Sequence, residues 1–271
     1  MKKNYVVIFA MAIAMGWFAN NLSAQSAYVT VNAGYGMRAG SFSWGNNTEN
    51  ADNTGSAEVV NISLGKGLNF GGSFGYMFNK NIGAELGVSY LLGGKSETTD
   101  EYYSSPTEKI TWEDEVHSNM IRFSPTFILA SGMEKINPYA KFGLTVGVGS
   151  FTENSNRNST NGDHTERTWK NNGGVAVGYT ASIGANYPLN EKMSLFGELT
   201  LIDLNYAPKK GEMTKYTDNG TDMLGTLDVN DKEVEYVDSY SYDNNTSSNP
   251  DEPEKHLKWK LPFSSMGFNI A

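Results

Sequence analysis

Leu68 to Leu92 reads LNFGGSFGYMFNKNIGAELGVSYLL, two alternating runs joined by the polar turn Asn79-Lys80-Asn81. In the first run Leu68, Phe70, Phe74, Tyr76 and Phe78 occupy every second position, with Gly72 the only break, and Asn69, Gly71, Ser73, Gly75 and Met77 lie between. The second run sets Ala84, Leu86, Val88, Tyr90 and Leu92 against Gly83, Glu85, Gly87, Ser89 and Leu91. A period of two means strands with one apolar and one mostly polar face. A soluble sandwich would bury the apolar face. Here the opposite face carries Gly, Ser and a lone carboxylate, the pattern of a strand with lipid outside and a narrow polar lumen inside.

The ends and the composition agree. Lys2-Lys3, the apolar run from Val6 to about Ala19 and the Asn20-to-Ala24 segment predict a signal peptide over 1–24, with a β-barrel domain over 25–271. The apolar run is too short to span a bilayer comfortably as a helix. No cysteine occurs, which suits an oxidising compartment and excludes disulfides and thiolate metal sites. Mean hydropathy is negative and no other long apolar run follows, so a helical membrane protein is excluded. A barrel is not, because half of each spanning strand faces inward. The net charge of -9 argues against nucleic acid as a partner.

Taken in order, the chain offers a first strand from Ala27, with Val29, Val31, Ala33, Tyr35 and Met37 on one face. Strands two and three are the hairpin above. Strand four runs from about Asn119 to Ala130, strand five from Pro138 to Gly149, strand six from Val175 to Tyr187 and strand seven from Met193 to Leu204. Strand eight is LKWKLPFSSMGFNIA, interrupted by Pro262, which cannot donate to a ladder. Polar segments of about 44–66, 94–116, 151–172 and 208–256 read as long loops, and they alternate with short turns. An even number of antiparallel strands then places both ends with the short turns. The expected fold is all-β: an eight-stranded antiparallel transmembrane β-barrel with short periplasmic turns and four long extracellular loops.

The segments INPYAKFGLTVGVG and GYTASIGANYPLNEKMSLFGELTLID carry a resemblance. A strand-ending Tyr, a short Pro/Asn turn and SLFGEL are similar to what eight-stranded outer-membrane barrels of the OmpA-type transmembrane-domain and OmpX-like group show. The resemblance implies an integral location in a Gram-negative outer membrane. It also implies the lipid bilayer, lipopolysaccharide and the barrel-assembly machinery as partners. Such barrels usually end in an aromatic residue that assists assembly; this chain ends at Ala271, with Phe268 the nearest aromatic.

Four charged residues fall on inward faces: Glu85, Arg122, Lys141 and Glu198. Charge in a narrow lumen is costly unless paired, so they are expected to neutralise one another as an ion-pair network. The resemblance implies that such pairs plug or gate the lumen. Acidity concentrates elsewhere, with seven acids against two bases over Lys95–Glu115 and twelve against five over Pro208–His256. Glu113, Asp114, Glu115, Asp228, Asp231 and Glu233 are therefore candidates for binding a surface cation or a partner, with a merely solvated loop as the alternative. Tyr102, Tyr103 and Trp112 in one loop, and Tyr216, Tyr236, Tyr240 and Tyr242 in another, suit a recognition surface, with packing of loop against loop as the alternative. His117 and Ser118 are adjacent in a strand and point to opposite faces, so they form no catalytic couple. No cofactor is expected. The function expected is non-enzymatic, structural or surface-binding; the alternative is a channel for small solutes or apolar ligands.

Overall fold

The computed structural model describes residues 26–52, 54–241 and 249–271. The expected signal peptide over 1–24 and Tyr242 lie outside the described residues. One sheet holds seventeen strands. They are β1 (Ser26–Arg38), β2 (Phe42–Glu49), β3 (Gly55–Ile62), β4 (Gly67–Met77), β5 (Ile82–Gly93) and β6 (Ser96–Ser105). The long β7 (Glu108–Ala130) and β8 (Asn137–Ser159) follow, then β9 (His164–Asn172), β10 (Val175–Pro188), β11 (Ser194–Tyr206) and β12 (Lys210–Asp218). The short β13 (Thr221–Asp222), β14 (Glu233–Val237), β15 (Glu254–Leu257), β16 (Leu261–Pro262) and β17 (Ser265–Ile270) complete it.

Pairing runs β1–β4–β5–β7–β8–β10–β11–β17 and returns from β17 to β1, every step antiparallel. This circuit has no free edge. Exposure alternates residue by residue along Val175–Ile183, and the apolar side of each strand is the one left uncovered: Val31 is 76% exposed and Tyr179 68%. The outward faces read from the sequence are thus the outward faces of the circuit.

The short turns gather at one end. At the first, the Asn79 side chain accepts from the backbone N–H groups of Asn81 and Ile82 at 2.8 and 2.9 Å, which is why Asn suits that corner. Ser26, opposite Met77, and Ala271, whose backbone exchanges hydrogen bonds with Phe196, lie at this end too.

The opposite end corrects the sequence reading. Three of the four polar segments expected as loops are largely strands and the fourth, 208–256, contains four shorter ones, so the described residues hold seventeen strands rather than eight. β7 and β8 continue for 23 residues each, about 75 Å at the usual rise per residue, where a membrane-crossing strand needs about 9–11. Their overshoot offers paired edges on which β6, β9, β12 and β14 assemble in turn. The β2–β3 hairpin touches β6 through one parallel pair, Thr48 opposite Glu101. Most of these strands are rich in polar residues on both faces; alternation is legible in Glu233–Val237, part of a stretch expected to extend strands above the membrane. The final strand is broken at Phe263-Ser264, just after Pro262.

Candidate functional site

Three of the four inward charges meet. Lys141 on β8 reaches Glu85 on β5 at 2.9 Å and Glu198 on β11 at 3.1 Å, with all three side chains nearly buried. Two tyrosines complete the arrangement: the Tyr28 hydroxyl donates to Glu85 at 2.7 Å and the Tyr139 hydroxyl to Glu198 at 3.1 Å. Thr200 donates to the other Glu198 oxygen at 2.8 Å, and the Lys141 ammonium lies 5.0 Å from the centre of the Tyr139 ring. Glycines make room for the rings. A Cβ at Gly75 would overlap Tyr28, and one at Gly184 would sit 2.7 Å from the Tyr139 hydroxyl. Both oxygens of each carboxylate therefore have a donor, which a buried charge requires.

Arg122 stands apart from this triad. Thr126 is the β7 residue opposite Glu85, while Arg122 lies four residues further along β7, opposite Ser89, about 13 Å away along the strand. Its guanidinium donates through Nη2 to Asn69 Oδ1, and Nε and Nη1 have no acceptor. The side chain is 1% exposed and lines a lumen cavity of about 100 Å³ that also borders the triad.

Beyond Arg122 the lumen changes character. Leu91, Val116, Met120, Phe151, Ala176, Leu204 and Tyr206 turn inward from five strands and pack with Leu64, Leu261 and Phe263 into one buried apolar cluster. The Tyr206 ring lies 5.2 Å from Phe263 and edge-on to Phe151 at 6.5 Å, and its hydroxyl donates to the Gly149 carbonyl at 2.7 Å. Leu64 comes from the strap between β3 and β4, which crosses the mouth. Ser118 Oγ donates to its carbonyl at 2.6 Å, and its own N–H reaches the Pro262 carbonyl at 3.4 Å. Sequence reading missed this plug, although a signal existed: the inward parity of β5, β7, β8 and β11 turns apolar at their far ends. Leu64, Leu261 and Phe263 sit in irregular segments and carried no such signal.

The acidic candidates are spread out. Glu113 and Glu115 face one side of β7 and Asp114 the other; Glu115 pairs with Lys95 at 2.7 Å, and Asp114 accepts from Ser155 at 2.5 Å. His117 Nδ1 lies 3.6 Å from Glu115, on the face opposite Ser118. Asp228 precedes a single helical turn, Val229–Lys232, which contains Asp231, and Glu233 opens β14. Among the described residues no group of three or more His, Asp or Glu side chains is placed to hold a metal. Asp114 does reach a cleft of about 500 Å³ where the β2–β3 hairpin splays from β6 and β7. Glu49, Asp100, Glu101, Tyr102 and Trp112 line it as well. Deeper on the same face, burial and the nearby Asp114 charge push the Glu153 carboxyl up to about 7.

A closed antiparallel circuit with an apolar outer wall and an enclosed, partly charged interior defines a membrane-type β-barrel. The chain belongs to the outer membrane protein beta-barrel domain family, whose model matches residues 7–235. Membership makes it an integral outer-membrane protein. No curated protein matches the chain.

Proposed function

We propose that the eight-strand circuit is the transmembrane barrel, of the OmpA- and OmpX-like kind, and that it is a closed, non-enzymatic support for a cell-surface sheet. On this reading the short turns face the periplasm of a Gram-negative cell, and β7 and β8 carry the outer sheet clear of the membrane. The lipid bilayer, lipopolysaccharide and the barrel-assembly machinery are its partners in the envelope. The observation that carries the reading is the double obstruction of the lumen, by the Glu85–Lys141–Glu198 triad and by the apolar cluster above it. A small eight-stranded barrel has an interior that side chains can fill, so its function belongs outside the lumen. The surface feature best shaped for binding is the acidic, aromatic cleft between β2 and β7.

Liposome swelling tests this against the alternative of a channel. Vesicles reconstituted with the protein should admit small sugars no faster than empty vesicles. Uptake rising with protein density would replace the support with a solute pathway.

A further inference from the structure

Among the described residues, Arg122 is an inward charge with no ion-pair partner, whereas Glu85 and Glu198 share Lys141. A guanidinium has five N–H donors and no acceptor. Here Asn69 takes up one nitrogen, and two remain without a partner in a side chain 1% exposed. The nearest source of negative charge is committed elsewhere, since Glu85 already accepts from Lys141 and Tyr28, and Glu198 from Lys141, Tyr139 and Thr200. An unpaired buried cation is costly, and no carboxylate lies within reach to relieve it.

Beside Arg122 stand hydroxyls, while the charges of the Glu85–Lys141–Glu198 triad border the same cavity about 13 Å away along the strand. Ser89 is the β5 residue opposite Arg122, and Ser124 and Thr145 share a 2.9 Å hydroxyl contact on the adjoining strands. Ser89 and Ser124 line the same cavity of about 100 Å³ as Arg122. Hydroxyls can turn their hydrogens toward an acceptor, so together with the guanidinium they form a donor-rich chamber. The apolar cluster begins two residues further along β7, at Met120, and shields the chamber from the exterior.

We propose that Arg122 and the hydroxyls around it hold a small monovalent anion of the halide class inside the barrel, beneath the apolar plug. A spherical anion accepts from several N–H and O–H groups at once, as this geometry demands. The chamber is too small for a large organic anion. Such an ion is a structural ligand: it binds the folded barrel and not the unfolded chain, so it stabilises by mass action.

The test uses the full-length protein in detergent micelles. Thermal unfolding is followed in sodium chloride and in sodium gluconate at equal ionic strength, and crystals are soaked in bromide for anomalous scattering. Chloride should raise the midpoint over gluconate by about 5 °C. The difference should vanish in Arg122→Met, and a bromide peak should lie beside Arg122 in the wild type. Equal midpoints in the two salts, with no bromide peak in the lumen, would overturn the proposal. Should Arg122→Met fail to fold, the salt comparison and the bromide map on the wild type decide alone.

Discussion

The two halves of the lumen are closed by opposite chemistries. Toward the short turns, two carboxylates, one ammonium and two tyrosine hydroxyls are held by directional contacts of 2.7–3.1 Å. Toward the outer sheet, ten apolar or aromatic residues exclude water by packing. The lower closure depends on each partner being present, because removing one leaves a buried charge behind. The upper one loses stability in proportion to what is cut away, because its contacts are many and individually weak. The contrast follows from the neighbours. Small inward residues such as Gly75 and Gly184 leave room for long polar chains, whereas the upper level receives bulky residues from the strands and from the strap.

The sharpest way to break this comparison is Lys141→Met, which strands Glu85 and Glu198 beside each other. It should cost about 3–5 kcal/mol in urea unfolding followed by tryptophan fluorescence. Replacing all three members by apolar residues of similar size should restore most of that loss. If the single variant costs no more than the triple one, the lower closure is packing as well. Phe263→Ala acts on the other half and should cost about 3–4 kcal/mol as a cavity in a well-packed cluster. It should open no conductance in planar bilayers, because the triad still blocks the path below; steady current from this variant would show a single closure.

The smallest effect expected lies above both closures. The unfolded chain releases the Glu153 proton near the ordinary glutamate value of 4.5, and the folded chain keeps it to about 7. Between these values the folded state binds more protons. The contribution is therefore complete below about pH 4.5 and is lost as pH rises through 7. Glu153→Gln should flatten that slope, removing roughly 2–3 kcal/mol of pH dependence between pH 5 and 8 in unfolding titrations. An unchanged slope would mean that the carboxyl is better solvated than its position between β7 and β9 implies.

Legibility followed the environment on the two faces of each strand. Where one face meets lipid, alternation is strong, and Val29, Phe74, Phe127 and Ile183 marked the wall without ambiguity. Glu85, Lys141 and Glu198 could be assigned inward by the same parity, and they do meet. Arg122 shared that parity but not the triad's level along the barrel, since height depends on the stagger between strands and single-strand parity carries no record of it. Most outer strands were lost because polar residues occupy both their faces, and the few buried positions, such as Asn171 and Met213, are too scattered to set up an alternation. Asn, Ser and Thr in β2, β9 and β12 looked like loop residues until β3, β8 and β9 respectively gave their backbones partners.

By itself the sequence determined which side of each strand is apolar and which residues point inward, because pleating alternates side chains whatever the partner. Only the tertiary structure decided which inward residues share a level and what the polar segments become. It also decided that a strap carrying Leu64 crosses the mouth. Those outcomes depend on register and on irregular backbone meeting across the barrel, where residues more than fifty positions apart, such as Leu64 and Ser118, first come into contact.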